Sequence, residues 1–385
     1  MKKFPTLYKR TSTGKIQQWT ITSDGNAYTV TEGMENGKLT TTAPHTCEGK
    51  NPGKKNATTA EEQAEKEAQA KWEKQQRRGY TRSKDTVDET EFEKPQKGYK
   101  YSERKDEMTY PVDIQDKLNG VNFRVRAKGI LSTGCELFHT VPHIVESFKP
   151  IFKKYPKATF VGEGFNPEAT FLSKLTELMN VNIQPKDLTP ELLEQSEKIA
   201  QAWIFDGYDF EGITKKTPWR ERLAACAKVL KGLKYVTVTD YEEIENEAAL
   251  MKALAKNKAR KGEGLMIRWG NYPVKCGKSK YLLKLKHMED AEFNLVALEE
   301  GNGDWAGHAK RAILQLPKPT VDGNGKTVTT FASNIKGDMP FLRKLWLNKD
   351  KVIGKPATTS YQCLSEYGIP QIPWIEAIRD YETYE

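Results

Sequence analysis

Five short polar motifs stand far apart in this chain, and a fold in which they act together must bring distant segments to one place. The first is Gln115-Asp116-Lys117-Leu118-Asn119-Gly120. After it come Gly162-Glu163-Gly164, Ile204-Phe205-Asp206-Gly207, Glu263-Gly264-Leu265-Met266-Ile267-Arg268 and Leu283-Lys284-Leu285-Lys286. Singly, each has an ordinary reading. A Gly-Glu-Gly is a turn with a surface carboxylate, an aromatic in a half-buried strand is core, and alternating lysines form a solvated strand face. Arg268 is then a strand-end surface charge. Only their order and spacing give the set more meaning.

The pattern of apolar residues divides the chain into parts. Lys15 to Thr22 alternates as a strand, a Ser-Asp-Gly-Asn turn follows, and Tyr28-Thr29-Val30 continues the alternation. Thr59 with Glu62 three residues on reads as a capping box. Ala64, Ala68 and Trp72 then share one helix face, with Trp72 as its anchor on the small sheet. Residues 83–105 are charged and poor in aliphatic side chains, with Pro95 and Gly98, and read as a linker. From Met108 to about His287 strands and helices mix. Val121–Val125 and Ala158–Val161 read as strands, Glu191–Trp203 and Arg220–Leu230 as helices. Phe293–Leu298, Arg311–Leu316 and Thr327–Phe331 are strand-like runs, the last two separated by an Asp322-Gly323-Asn324-Gly325 turn. Such a series suggests a small barrel. The expected fold class is α+β and multidomain, with units at 1–82, 106–288 and 289–385.

At 385 residues there is chain enough for two or three cores. A charged fraction of 29% and mean hydropathy of -0.71 describe a soluble protein. No apolar run reaches the roughly 20 residues that span a bilayer, and the start Met1-Lys2-Lys3-Phe4-Pro5 lacks the apolar segment of a secretory signal. A cytoplasmic location is expected. The net charge of +9 suits a polyanionic partner as well as it suits a plain basic surface. Cys47, Cys135, Cys226, Cys276 and Cys363 are scattered and odd in number, with no Cys-x-x-Cys. Neither a zinc ribbon nor a disulfide framework is expected.

The run Gly277-Lys278-Ser279-Lys280-Tyr281-Leu282-Leu283-Lys284-Leu285-Lys286 is followed by Asp290-Ala291-Glu292-Phe293 and Glu299-Glu300-Gly301-Asn302-Gly303. With the earlier motifs, it makes residues from about 110 to 385 resemble an ATP-dependent DNA ligase of bacteriophage type. That family belongs to the covalent nucleotidyltransferase superfamily, with RNA ligases and capping enzymes. The resemblance implies a nucleotidyltransferase domain of ATP-grasp-like antiparallel sheets with helices, then a C-terminal OB-fold barrel. It implies that Lys117 attacks the α-phosphate of ATP and forms a phosphoramide with AMP. Attack requires a neutral amine, so the lysine must titrate well below its ordinary value of about 10.4. Lys284 and Lys286 would supply a positive field and hold the phosphate. Glu163 and Glu263 would hold Mg²⁺, which prefers oxygen ligands. Glu163 would also touch the ribose, Phe205 would stack on adenine, Gln115 would reach its edge, and Arg268 would hold a phosphate. Ser360-Tyr361-Gln362 and Ile378-Arg379-Asp380 belong to the barrel part, Arg379 being implied as the group that orients pyrophosphate.

Two positions depart from the family pattern. Asn119 stands for the usual aspartate, and Asn122 for the usual arginine. Arg124 and Arg126 lie near, and one of them is expected to take over the contact with a nick. Residues 1–82 resemble the WGR-type module found on some phage ligases and in poly(ADP-ribose) polymerases. Lys54-Lys55-Asn56-Ala57-Thr58-Thr59 and Gly79-Tyr80 carry that likeness, although the tripeptide Trp-Gly-Arg is missing. The implied role is binding of DNA through Lys54, Lys55, Arg77 and Arg78; a module that touches only the rest of the chain is the other reading. A monomer acting on nicked duplex DNA is expected. RNA or mixed duplexes, and a non-catalytic DNA-binding relative, stand as alternatives. A dependence on NAD⁺ is not expected, because the tetracysteine finger of such ligases is missing.

Overall fold

The computed structural model describes residues 1–88, 95–168, 172–322, 325–365 and 367–381. Residues 89–94 of the expected linker, and Gly323 and Asn324 of the expected turn, lie outside these. The N-terminal unit is a six-stranded antiparallel sheet with one long helix across it. Its central hairpin, Ile16–Asp24 with Ala27–Met34, turns through Gly25 at φ 53°, a conformation open to glycine without a Cβ penalty. The helix Ala60–Arg77 starts at the capping box: Glu62 N donates to Thr59 Oγ1 at 3.1 Å, and Thr59 N to Glu62 Oε2 at 3.0 Å. Ala64, Ala68 and Trp72 are buried against Phe4, Leu7, Trp19, Ile21 and Tyr28. Trp72 also donates its indole N–H to Pro5 O at 2.8 Å, which ties helix to sheet.

Two five-stranded sheets form the central unit. The first runs in the order Gly129–Ser132, Val121–Arg126, Thr159–Phe165, Gln201–Tyr208, Val236–Val238. Phe123, Val125, Phe160, Ala202 and Ile204 point to its outer face, where the helices Pro142–Lys154 and Trp219–Val229 cover them with Ile144, Phe148 and Cys226. The second runs Glu242–Ile244, Val112–Asp116, Gly264–Trp269, Gly277–Lys286, Gln96–Lys100. Here Ile114, Leu265, Ile267 and Leu283 pack with Leu250 of the helix Glu247–Ala259. The alternation turns most of the polar residues of these strands to the inner faces, with Met266 and Leu282 among them.

Two expectations need correction. Part of the linker 83–105 is not a linker: Gln96–Lys100 pairs in parallel with Gly277–Lys286, and Tyr101–Arg104 is a short helix. Tyr101 is buried and its hydroxyl donates to Glu247 at 2.9 Å, so one aromatic and a ladder of backbone bonds outweigh a charged composition. The helix expected over Glu191–Trp203 ends at Ile199, and Gln201–Tyr208 is a strand. Trp203, Ile204 and Phe205 favour a strand by their shape, and the alternation of buried and half-exposed residues begins at Gln201.

The C-terminal unit is a closed barrel of Glu289–Glu300, Ala309–Val321, Thr327–Ile335, Trp374–Ile378 and Pro356–Tyr361. The pairing of the third with the fourth of these is parallel, the others antiparallel. Leu342 and Leu345, from the helix Met339–Leu347, join Phe293, Leu295, Leu314 and Phe331 in its core.

A buried ion pair links helix to sheet in the central unit. Arg222 and Asp206 are 1% and 4% exposed, joined by Nε–Oδ1 at 2.7 Å and Nη2–Oδ2 at 2.8 Å. Asp206→Ala leaves a buried guanidinium without its carboxylate. The expected loss is about 3–5 kcal/mol in urea unfolding of the central unit; a loss under about 1 kcal/mol would mean that the pair carries little of the fold.

Candidate active site

The inner faces of the two sheets enclose a cavity of ≈ 310 Å³. Val112–Asp116 delivers Lys117 to one end of it, and the Lys117 backbone N–H donates to Gly264 O at 2.9 Å. This places the Lys117 side chain beside Glu263. Lys117 Nζ lies 2.5 Å from Glu263 Oε2, and Lys286 Nζ lies 2.8 Å from Oε1. Burial alone would raise the Glu263 carboxyl, but the two ammonium groups outweigh it and hold the group below the usual carboxylate range. Lys284, two residues before Lys286 on the same strand face, lines the cavity itself. Its ammonium is pulled down by burial and then by its neighbours Lys117, Lys286, Lys97 and Lys278.

Gly120 explains the end of the first motif. A Cβ there would stand 2.1 Å from Gly164 O and 2.8 Å from Glu163 Cγ, so only glycine lets this loop approach the strand Thr159–Phe165. That approach brings Lys117 and Glu163 to the same cavity. Register does the same for Asn122, which lies opposite Glu163 and donates from Nδ2 to its Oε2 at 3.1 Å. Burial pushes the Glu163 carboxyl up to about 7, against the lowering influence of Asn122 and Lys117. Asn119 is not among the cavity-lining residues.

Phe205 and apolar side chains make up another part of the cavity lining. Between the strands Thr159–Phe165 and Gln201–Tyr208 the register shifts at Val161/Gly162, which leaves Phe205 as an extra residue. The bulge lets Phe205 line the cavity although Asp206, its neighbour, also turns inward to Arg222. Trp219 fixes this point by donating its indole N–H to Phe205 O at 3.1 Å. Met266 and Leu282 contribute the second sheet's share of apolar wall. Gln115 lines the wall too, with Nε2 donating to Thr239 Oγ1 at 2.7 Å and to Asp240 O at 3.3 Å. Arg268 is not a surface charge. It is 8% exposed, its guanidinium stacks 4.5 Å from the Trp219 ring centroid, and burial pulls it down to about 10.

Several expected residues lie elsewhere. Arg379 is exposed on the barrel, with Nη2 2.5 Å from both oxygens of Glu292, and does not line the cavity. Arg124 is 2% exposed, with Nη2 2.7 Å from Cys135 Sγ, so its side chain is enclosed where a nick-facing one was expected. Arg126 is half-buried on the same strand face. Lys54, Lys55 and Arg78 are exposed on the N-terminal unit. Arg77 is turned instead to Glu136 of the central unit, at 3.3 Å. Residues that the motifs did not indicate also line the cavity: Gln96, Lys97 and Gly98, together with Thr239. The parallel pairing of Gln96–Lys100 puts the first three there, and a parallel edge strand leaves no local trace in sequence.

Glu163 gives the site a pH signature. Its folded-state carboxyl keeps a proton between the unfolded value near 4.5 and about 7, so the folded state binds more protons in that window and loses stability as pH rises through it. Without divalent cations, Glu163→Gln should equal the wild type below pH ~4.5 and exceed it by about 2–3 kcal/mol above pH ~7.5 in urea unfolding. A gap independent of pH would contradict a proton held on Glu163.

No protein-family model and no curated protein matches the chain. Solved structures do. A Lig E DNA ligase, studied for DNA binding with a minimal scaffold, matches with TM-score 0.58 at 17% identity, over 74% of this chain and 98% of its own. Pmar-Lig_Pre matches with TM-score 0.59 at 17% identity, over 78% and 72%. Pmar-Lig_PreS3 matches with TM-score 0.59 at 17% identity, over 75% and 68%. The chain thus shares its fold with a Lig E DNA ligase.

Proposed function

We propose that this chain is an ATP-dependent DNA ligase that seals 5′-phosphate/3′-hydroxyl nicks in duplex DNA through a lysyl-AMP on Lys117. The observation that carries this reading is the convergence on one cavity of Lys117, Glu163, Phe205, Arg268 and Lys284 from both sheets, with Glu263 and Lys286 in contact with Lys117 or each other. The cavity volume of ≈ 310 Å³ lies within the range of small-molecule sites. Phe205 offers a face for adenine, and Lys117 and Lys284 line the same cavity and offer charge for phosphate.

In the first step Lys117 Nζ attacks the α-phosphorus of ATP; the N–P bond forms and the bond to the pyrophosphate oxygen breaks. The attacking amine must be neutral. Glu263 Oε2, 2.5 Å away, is the acceptor placed to take its proton. An oxygen of a 5′-phosphate then attacks the same phosphorus, breaks the N–P bond and takes AMP. Finally the 3′-hydroxyl attacks the 5′-phosphorus and AMP leaves. Positioning and charge stabilisation dominate such transfers.

Glu163 fits a Mg²⁺ ion, since a half-buried carboxyl that holds its proton up to about 7 is one that a cation would recharge; Glu263, with Lys117 and Lys286 on its two oxygens, would join it only by giving up one of those contacts. Bound there, Mg²⁺ offsets negative charge on the attacked phosphate and the departing pyrophosphate. Arg379 would serve pyrophosphate departure only after the barrel moves, because it now faces Glu292.

We read the barrel as an OB fold, a five-stranded architecture used for nucleic acids, and residues 1–82 as a WGR-like module that assists DNA binding. Asn119 and Asn122 keep an RNA or mixed-duplex ligase as the nearest competing substrate class. Incubation with ATP labelled at the α-phosphate should leave acid-labile label on the protein and none on Lys117→Ala. Label that survives this substitution would sink the mechanism, and sealing of nicked RNA in preference to nicked DNA would transfer the assignment to the competing class. Removal of residues 1–82 should weaken binding to nicked DNA by roughly tenfold or more, the loss of several phosphate contacts, while self-adenylylation persists. Unchanged nick affinity would make the module a structural appendage, in keeping with the Arg77–Glu136 contact.

A further inference from the structure

His45, Cys47 and Glu67 meet on the N-terminal unit, none of them lining the cavity, with one donor atom from each within 4.8 Å of the others. The strand His45–Thr46 pairs with Ala27–Met34 through Tyr28↔His45, and Cys47 N donates to Asn26 O at 2.7 Å. His45 and Cys47 are two residues apart in extended chain, so their side chains leave the same face. Glu67 comes from the helix Ala60–Arg77 that crosses this edge of the sheet.

The two oxygens of Glu67 have separate surroundings. Oε1 accepts from Gln63 Nε2 at 2.8 Å and from Lys50 Nζ at 3.0 Å. Oε2 turns the other way, 3.6 Å from Cys47 Sγ and 3.9 Å from His45 Nε2. In a tetrahedral zinc site with Zn–S of about 2.3 Å and Zn–N or Zn–O of about 2.0 Å, neighbouring donors lie about 3.3–3.5 Å apart. Small side-chain rotations therefore suffice to close the set. Gln63 and Lys50 act as outer partners that orient the carboxylate and leave one oxygen for an ion. Cys47 is 5% exposed, whereas the His45 side chain is 60% exposed, so the group is lined on one side and reachable from the other.

We propose that His45, Cys47 and Glu67 form a site for a zinc-class divalent ion that clamps the strand edge to the helix, with a fourth position for water or an exogenous donor. Imidazole, thiolate and carboxylate together suit Zn²⁺ and not a hard ion such as Mg²⁺. On binding, the Cys47 S–H gives its proton to solvent and the sulfur ligates as thiolate. No redox change is involved, and the site stands apart from the ligase reading.

The test uses the full-length protein, stripped with chelator and titrated with Zn²⁺, and with Co²⁺ as the spectroscopic stand-in. Expected are one tightly bound Zn²⁺ per chain, a thiolate-to-cobalt charge-transfer band, and a rise in the melting temperature of the N-terminal unit. Cys47→Ser should abolish the band. His45→Ala, which changes an exposed side chain and leaves the circular dichroism intact, should weaken binding at least tenfold. Lack of a charge-transfer band in the wild type, or a band and affinity unchanged in both variants, would overturn the proposal. So would binding that survives Cys47→Ser and disappears in Glu163→Gln, since that ion belongs to the nucleotide cavity.

Discussion

The central unit is organised around the Glu263 carboxylate, which holds one ammonium on each oxygen. Lys117 arrives from the first motif and Lys286 from the last, separated by most of the domain in sequence. The two ammonium groups keep the carboxylate charged in a buried position, where it would gain a proton without them. The charge of Glu263 therefore depends on both lysines. Lys286 also donates to Gln362 Oε1 at 2.8 Å, which links this arrangement to the barrel. Movement of the barrel and the charge balance at Lys117 are joined through one side chain.

Around this arrangement the inner faces of the sheets carry an unusual load of buried charge. Asp206 and the Thr217 carbonyl together satisfy Arg222, and Asp113 accepts from Arg220 at 2.7 Å. Arg124 Nε and Nη1 and Arg268 Nε, however, have no hydrogen-bond partner among the described residues. Each such group costs about 1–3 kcal/mol. Apolar packing on the outer faces, where Phe123, Phe148, Phe160 and Ile204 are fully buried, offsets that cost. An inner face arranged this way is poor for stability and well suited to an anionic ligand, which is the balance expected where a nucleotide is the proposed occupant.

Much of the site was legible because motif order survives without structure. Lys117, Glu163, Phe205 and Lys284 were singled out by spacing, and all line one cavity. Trp72 as helix anchor and Thr59 with Glu62 as helix start were legible for a local reason: capping and facial periodicity involve neighbours three or four residues apart. What failed to show had its cause at long range. The charged run near Pro95 conceals a strand because its partner, Gly277–Lys286, lies 181 residues or more further on, as in Gln96↔Gly277. Arg124 and Arg379 carried the right charge for a polyanion, but exposure depends on what the rest of the chain lays over or beside them. One is enclosed and the other is paired on the barrel.

By itself, the chain's order of residues determined most local elements and the chemical repertoire: many of the alternating segments, the capped helix starts, and which lysines and carboxylates exist at which spacing. Local sterics and hydrogen bonding act over a few residues, so a linear reading reaches them. Only the tertiary structure decided which charges meet. The bulge that turns Phe205 inward, the register that gives Glu163 to Asn122, and the helix that brings Glu67 to His45 and Cys47 are products of packing between distant segments. Electrostatic partnership falls off within a few ångströms, and distance in space is what a sequence does not contain.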